Sequence, residues 1–123
     1  MATWTIVDGV TSTQTIANIQ RVDGTGGPNP PAITFDGDNP TKPSFQQQFQ
    51  VIVIGSGNVG AAVQICGSND GQNYVTVGGA INVTSAASPQ TGAGITNQSF
   101  KYWGAFVTTI TGTGATVKTI VSA

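Results

Sequence analysis

Residues 61–77, AAVQICGSNDGQNYVTV, carry the pattern that decides the fold class. Val63 and Ile65 are separated by one polar residue, as in a strand with one buried face. Residues 68–71, SNDG, then interrupt the alternation with side chains that favour turns. Residues 74–77, YVTV, return to an extended, β-favouring run. The stretch therefore predicts two antiparallel strands joined by a tight turn.

The C-terminal part of the chain predicts a second hairpin. Residues 103–110 and 115–121 are both rich in β-branched and aromatic residues. Residues 111–114, TGTG, separate them with two glycines, which are typical of a turn. We expect these two runs to pair with each other.

The longest strand is predicted over residues 45–54, FQQQFQVIVI. Gln46, Gln48 and Gln50 share one face, and Ile52 and Ile54 make the same face apolar further on. The strand is expected to begin half exposed and to end buried on both faces, as a central strand does.

The remaining segments complete an all-β prediction. Residues 2–7 predict a first strand ended by Asp8-Gly9, and residues 80–84 predict a short strand followed by a loop over residues 85–95. With 123 residues, one domain is expected. The sequence therefore predicts a single antiparallel β-sandwich over residues 1–123, jelly-roll or immunoglobulin-like, with about seven to eight strands.

Residues 23–44 do not fit a regular strand. They hold five of the six prolines, with several glycines, and proline removes a donor that a central strand needs. We interpret this stretch as an ordered loop or arm that contacts a neighbouring subunit, and a solvated connection is the alternative. The predicted protein-contact residues are Trp4 and Ile6 in the first strand and Ile33 and Phe35 in this stretch.

The charge content narrows the possible partners. Charged residues make up 7% of the chain, against about 25% in an average globular domain. Uncharged polar groups enter a contact at a lower desolvation cost than ions, so the composition favours a surface that is partly covered by partners. Four dispersed cations do not form a phosphate-binding patch, and nucleic-acid binding is not expected.

The sequence also predicts no membrane association. No run approaches the roughly 20 apolar residues of a spanning helix. The N-terminal residues lack a basic segment followed by an apolar one, so no secretory signal is expected.

Residues 55–60, GSGNVG, match the G-x-G-x-x-G pattern of dinucleotide-binding folds. Such a site needs a helix directly after the glycines, because the helix N-terminus holds the pyrophosphate. Only six residues separate this motif from the next turn signal, so a glycine-rich hairpin loop is the preferred interpretation. No cofactor is expected.

Candidates for metal binding and catalysis are few. Residues 36–39, DGDN, resemble the opening of a calcium loop, but the chain has no glutamate to complete one, and we favour a solvated turn without metal. The chain has no histidine, so general-base catalysis lacks its usual residue. Cys66 is expected to pack as a small side chain. These observations favour a protein that is not an enzyme.

The aromatic residues suggest one alternative function, carbohydrate binding. Tyr74, Tyr102 and Trp103 could stack on sugars in a lectin-like carbohydrate-binding module. Cross-strand or core packing is the preferred interpretation.

Two segments resemble small β-sandwich structural proteins of tailed bacteriophages. They are GSNDGQNY at residues 67–74 and KYWGAFVTTITGTGATVKTIV at residues 101–121. The likeness lies in a turn followed by an aromatic residue and in a strand that closes on Gly-Thr-Gly-Ala, and it covers roughly half of the chain.

The resemblance implies a role in virion architecture. We expect a capsid decoration or cement protein, made in the host cytoplasm and carried on the virion surface. Its partners would be the major capsid protein and copies of itself, as a homo-oligomer. A tail, neck or head-fibre component is the alternative within the same class.

Overall fold

The computed structural model describes residues 3–13, 20–21, 47–70, 72–96, 100 and 102–122. Within these residues the chain forms seven strands that join into one antiparallel sheet. The strands are β1 (Thr3–Val10), β2 (Gln20–Arg21), β3 (Gln47–Ser68), β4 (Val75–Thr76), β5 (Ile81–Ala87), β6 (Gln90–Thr96) and β7 (Tyr102–Ser122). The predicted all-β, antiparallel fold is confirmed. None of the described residues belongs to a helix that could cross a membrane.

Strands β3 and β7 organise the sheet. They contain 22 and 21 residues and pair with each other from Gln48↔Ser122 at one end to Ser68↔Tyr102 at the other. β3 also pairs with β4, β5 and β6 along its second edge. It is therefore a central strand, as the sequence predicts.

The long pair of strands β3 and β7 folds back on itself. Phe49 pairs with Val121 near one end, and Trp103 pairs with Gly67 near the other. Positions 49 and 67 lie about 60 Å apart in an extended strand, yet the rings of Phe49 and Trp103 meet edge to face at a centroid distance of 5.4 Å. The two halves of the sheet therefore face each other across a common core, as in a sandwich.

The fold-back occurs at a glycine-rich corner, formed by residues 55–60 of β3 and residues 111–115 of β7. Gly112 has a φ of +121°, and a Cβ there would lie 2.8 Å from the Asn58 carbonyl oxygen, so a side chain has no room. The segment between β5 and β6 bends beside the corner. There the Gly55 N–H donates to Ser88 Oγ (3.0 Å), and the Ser88 N–H donates to the Gly57 carbonyl (2.9 Å).

The corner divides the sheet into two half-sheets. The first consists of residues 47–54 of β3 and 116–122 of β7, flanked by β6 and β1. The second consists of residues 61–68 of β3 and 102–110 of β7, flanked by β5, β4 and β2. The core between them includes Ile6, Phe49, Val51, Val53, Val63, Ile65, Trp103, Val107, Val117 and Val121. Full burial of an aliphatic or aromatic side chain stabilises a fold by about 1.5–3 kcal/mol, so these residues hold the halves together.

The hairpin predicted within residues 61–77 is confirmed. Cys66 pairs with Thr76 and Gly67 with Val75, although the returning strand β4 contains only two residues. The Asp70 carboxylate stabilises the turn by accepting from the backbone N–H groups of Gln72 and Asn73, each at 2.8 Å.

The predicted C-terminal hairpin is wrong. Residues 111–114 do not reverse the chain, because Thr111 pairs with Gly60 and Thr113 with Ser56 of β3. β7 therefore bends at the corner and keeps the same partner on both sides. The glycine-rich loop predicted at residues 55–60 is likewise an internal part of β3.

Three smaller predictions also need correction. The loop expected over residues 85–95 contains the end of β5 and most of β6. Asp8-Gly9 does not end the first strand but lies inside β1, where the register with β7 shifts between Val7 and Val10. Ile54 is 55% exposed, so the face it shares with Ile52 is not buried.

Candidate interaction surface

One face of the first half-sheet is open to solvent. Along residues 47–54 of β3, buried residues alternate with exposed or half-buried ones. The buried set faces the core and includes Phe49, Val51 and Val53. The other set, which begins at Gln48, points away from the core because successive side chains in a strand point to opposite faces.

The neighbouring strands extend this open face. Directly opposed residues of antiparallel strands lie on the same face, and Gln50 is opposed by Ala93 of β6 and by Ile120 of β7. We call the resulting surface the outer face. It consists of Gln48, Gln50, Ile52 and Ile54 of β3, Thr91, Ala93 and Ile95 of β6, and Thr116, Lys118 and Ile120 of β7.

The outer face is nearly uncharged. Lys118 is its one charged member, while Ile54 and Ile95 are 55% and 61% exposed. These two isoleucines lie near opposite ends of the face, about 20 Å apart along the strand direction. Contacts made by amides, hydroxyls and apolar groups are weakened little by salt, so the face suits a stable, salt-tolerant contact.

A concavity of about 510 Å³ lies on this face. It is lined by Gln48, Phe49, Gln50, Ile120 and the β6 residues from Thr91 to Ile95. Such a depression accepts an apolar side chain of a partner, while the glutamine amides at its side can donate and accept hydrogen bonds. Its lining side chains are uncharged amide, hydroxyl and apolar groups.

Strand β6 owes its composition to its position over β5. Gly92 and Gly94 point toward the core, where an added Cβ would lie 3.0 Å from Val83 Cγ2 and 2.9 Å from Ile81 Cδ1. Thr91, Ala93 and Ile95 therefore alternate with glycines for a packing reason. The sequence prediction missed β6 because these glycines suggest a loop when β5 is not considered.

Within the part of the chain that the structure describes, β3 itself has no comparable open face in the second half-sheet. Residues 59–63 and 65–68 of β3 are all buried. Gln64 is half buried, and its Nε2 donates to the carbonyl oxygens of Ile65 (3.0 Å) and Gly78 (3.2 Å). The open face along β3 is therefore confined to the half-sheet that precedes the corner.

The predicted contact residues do not lie together on this surface. Ile6 is fully buried in the core, where its side chain packs within the chain. The backbone of Trp4 pairs with Val121 in β1, and its side chain lies outside the described part. Ile33 and Phe35, with the whole of residues 23–44, also lie outside the described residues.

The sequence does contain a signal for the outer face. The alternation that places Gln48 and Gln50 on one side of β3 also places Ile52 and Ile54 there. Because those isoleucines were expected to be buried, the sequence analysis did not predict this exposed surface, which is partly polar and partly apolar.

One of the three aromatic residues proposed for sugar stacking, Trp103, lies in the core. Trp103 is fully buried and contacts Phe49 and Phe100 edge to face, at centroid distances of 5.4 and 5.6 Å. Tyr74 and Tyr102 are half buried. The core interpretation of Trp103 is confirmed.

Cys66 is also a packing residue. It is free and fully buried in β3, and burial raises the pKa of its thiol to about 12. The thiol therefore stays protonated at neutral pH and is a poor nucleophile.

Among the described residues, no three histidine, cysteine or acidic side chains come together at a position that could hold a metal ion. The candidate calcium loop at residues 36–39 lies outside the described part of the chain. The G-x-G-x-x-G residues form part of the corner, and β3 continues through them as a strand.

Comparison with protein-family models, with curated proteins and with solved structures finds no match to this chain.

Proposed function

We propose that this chain is a non-enzymatic structural protein of a bacteriophage virion, which binds the head as a decoration or cement protein. The observation that carries the proposal is the outer face, an open and nearly uncharged sheet surface with exposed Ile54 and Ile95. A cement protein must hold many equivalent sites on a shell without depending on ionic strength. Uncharged polar and apolar contacts meet that requirement, and many modest contacts add up by avidity.

The sequence resemblance to phage β-sandwich proteins supports the same proposal. A place in the tail, neck or a head fibre is the alternative, and copy number separates the two locations. The carbohydrate-binding alternative is weakened because Trp103, its largest stacking candidate, is buried.

Quantitative mass spectrometry of purified virions tests the location. A decoration protein is expected at a copy number that approaches that of the major capsid protein. A count far below that of the major capsid protein would favour the tail or neck. Absence from purified particles would contradict both.

A pair of matched variants tests the surface. Ile54 on the outer face and Val75 in β4 are exposed to nearly the same degree, at 55% and 54%, so lysine at either position leaves the core intact. We expect Ile54→Lys to weaken binding of the purified chain to undecorated heads at least about tenfold. Val75→Lys should bind like the original chain.

The salt dependence of the same binding assay gives a further check. Affinity is expected to change little between about 50 and about 500 mM NaCl, because the outer face has one cation. A steep loss of affinity with salt, or equal binding by the Ile54→Lys variant, would contradict the assignment of this face.

A further inference from the structure

The first part of β3 has a composition that is typical of self-associating strands. Residues 49–54, FQVIVI, consist of apolar side chains and one glutamine, without charge, proline or glycine. Most of the apolar side chains are β-branched, which favours an extended backbone. Segments of about six residues with high β-propensity, low net charge and no proline are those that stack into cross-β fibrils. The segment therefore has the chemistry needed to pair with copies of itself.

The surrounding sequence lacks the charges that usually oppose such stacking. The charged residues nearest to the segment are Lys42 and Asp70, and Asp70 is the one charged residue between Lys42 and Lys101. Natural sequences often place charged residues directly beside apolar strands, where they hinder aggregation. The net charge of the whole chain is -1 at pH 7, so electrostatic repulsion between chains is also weak.

The folded chain shields this segment on both edges and on one face. Residues 48–53 of β3 pair with β6 along one edge and with β7 along the other. Phe49, Val51 and Val53 are at most 3% exposed. The backbone groups that could pair with another chain are therefore already hydrogen bonded, and β3 must separate from a neighbouring strand before a second copy can pair with it.

We infer that residues 49–54 are a self-association site for further copies of the same segment, and that the folded sheet keeps this site closed. Once the chain unfolds, the segments stack as in-register strands of a cross-β fibril. Phe49, Val51 and Val53 then form one dry face, because alternate side chains of a strand share a face. The Gln50 amides form hydrogen-bonded ladders on the opposite face. The inference is independent of the proposed function.

A second uncharged run, residues 105–110 of β7, provides a matched comparison. Its sequence, AFVTTI, contains one alanine and two threonines, so it buries less apolar area in a stacked sheet than FQVIVI does. Gln50 and Thr109 are both exposed in the folded chain. Lysine at either position therefore leaves the native core intact and places a charge in only one of the two runs.

Fibril formation by the full chain tests the inference. Each variant is held at its own thermal midpoint at pH 7, so that equal fractions are unfolded, and a reducing agent keeps Cys66 from crosslinking. Thioflavin T fluorescence measures the lag time, and fibre diffraction should show a repeat of about 4.7 Å. We expect Gln50→Lys to lengthen the lag time at least about tenfold, because in-register stacking places like charges one strand apart. Thr109→Lys should have the lag time of the original chain.

Hydrogen exchange of the fibrils identifies the stacked segment directly. Mass spectrometry of the dissolved fibrils should find the strongest protection at residues 49–54. The original chain held well below its thermal midpoint should form no fibrils over the same period, because β6 and β7 occupy both edges of the segment.

Several outcomes would overturn the inference. Equal lag times for the original chain and the Gln50→Lys variant would show that the segment does not drive association. Strongest protection at residues 105–110 would assign the site to β7. Aggregates without the cross-β repeat, or a chain that stays soluble at its midpoint, would show that no such site exists. Fibrils that form equally fast from the folded chain would show that the sheet does not close the site.

Discussion

The turn between β3 and β4 and the corner of β7 are both rich in residues that favour turns, but the chain reverses at only one of them. At the turn, the Asp70 carboxylate accepts from the backbone N–H groups of Gln72 and Asn73 and from the Asn73 side chain, at 2.7–2.8 Å. Ser68 Oγ adds a hydrogen bond to the same carboxylate at 2.8 Å. Local side chains thus supply the hydrogen bonds that a reversing backbone needs.

At the corner, the hydrogen-bonding partner is a neighbouring strand. Thr111 and Thr113 of β7 stay paired with Gly60 and Ser56 of β3, and the glycines let the backbone bend while the ladder continues. The comparison shows that glycine permits the backbone to change direction but does not determine the angle of that change. Asp and Ser side chains stabilise a complete reversal, whereas an adjacent paired strand limits the change to a bend.

Replacing Gly112 should have the largest effect on this comparison. Its φ of +121° disfavours any side chain, and a Cβ would lie 2.8 Å from both the Asn58 carbonyl oxygen and Val59 Cγ1. We expect Gly112→Ala to lower the free energy of unfolding by at least about 3 kcal/mol. Urea unfolding followed by circular dichroism measures it.

Gly79 provides the control for that substitution. A Cβ at Gly79 meets no heavy atom within 4 Å, so Gly79→Ala should change stability by less than about 0.5 kcal/mol. If the Gly112 and Gly79 variants unfolded at the same urea concentration, the corner would not be packed as described.

Gly114, at the C-terminal side of the corner, separates backbone strain from steric clash. Its φ is +62°, and a Cβ there meets no heavy atom within 4 Å. Gly114→Ala should therefore lower the free energy of unfolding by only about 1–2 kcal/mol, the cost of a side chain in the left-handed backbone conformation. The same urea experiment measures it. A loss as large as that of the Gly112 variant would mean that clash is not the main cost at the corner.

Removing the Asp70 charge should weaken the turn alone. Asp70→Asn keeps the size of the side chain and one acceptor oxygen for the N–H groups of Gln72 and Asn73. It removes the charge that strengthens those two bonds, and it replaces Oδ2, which accepts from the Asn73 side-chain amide, with a donor group. We expect a small decrease in thermal midpoint at pH 7 and faster hydrogen exchange at those two amides. The N–H of Val77, which donates to the Ile65 carbonyl at 2.9 Å, should keep its protection. An equal loss of protection there would show that the turn and the strand pairing are one unit.

The pH dependence gives the smallest and most local signal. The backbone N–H of Asn73, followed by its side-chain amide and the Gln72 N–H, holds the pKa of the Asp70 carboxyl well below its usual range. Because the pKa is lower in the folded than in the unfolded state, the carboxylate stabilises the fold at neutral pH. This contribution is lost as the pH falls below about 4, toward the folded pKa. The difference in thermal midpoint between the original chain and the Asp70→Asn variant should shrink over that range, and carboxyl NMR should show Asp70 still ionised near pH 3.

Much of the fold could be predicted from local patterns. The alternation of Phe49 and Val51 with Gln48 and Gln50 predicts which face of β3 is buried at its start, and the residues that follow Ser68 predict a reversal through their own hydrogen bonds. Local patterns could not exclude a hairpin at the corner. The observation that excludes it is a long-range one, the pairing of Thr111 in β7 with Gly60 in β3.

The interaction surface was less accessible to sequence reasoning. Tryptophan, isoleucine and phenylalanine near irregular segments were natural contact candidates, but Ile6 proved to be a core residue. Ile95 was hidden in a glycine-rich run that suggests a loop. Only the closeness of Gly94 to Ile81 explains why a strand at that position needs glycine.

The sequence by itself determined that this chain is built from antiparallel strands, where its tight turn lies, and that its surface is nearly free of charge. These properties follow from side-chain periodicity, local hydrogen bonding and composition, which act within a few residues. Only the tertiary structure decided that β3 and β7 run through their glycines and fold back together, and that β6 pairs with the first part of β3. Those outcomes depend on which distant strand occupies each backbone hydrogen bond, and no short stretch of sequence contains that information.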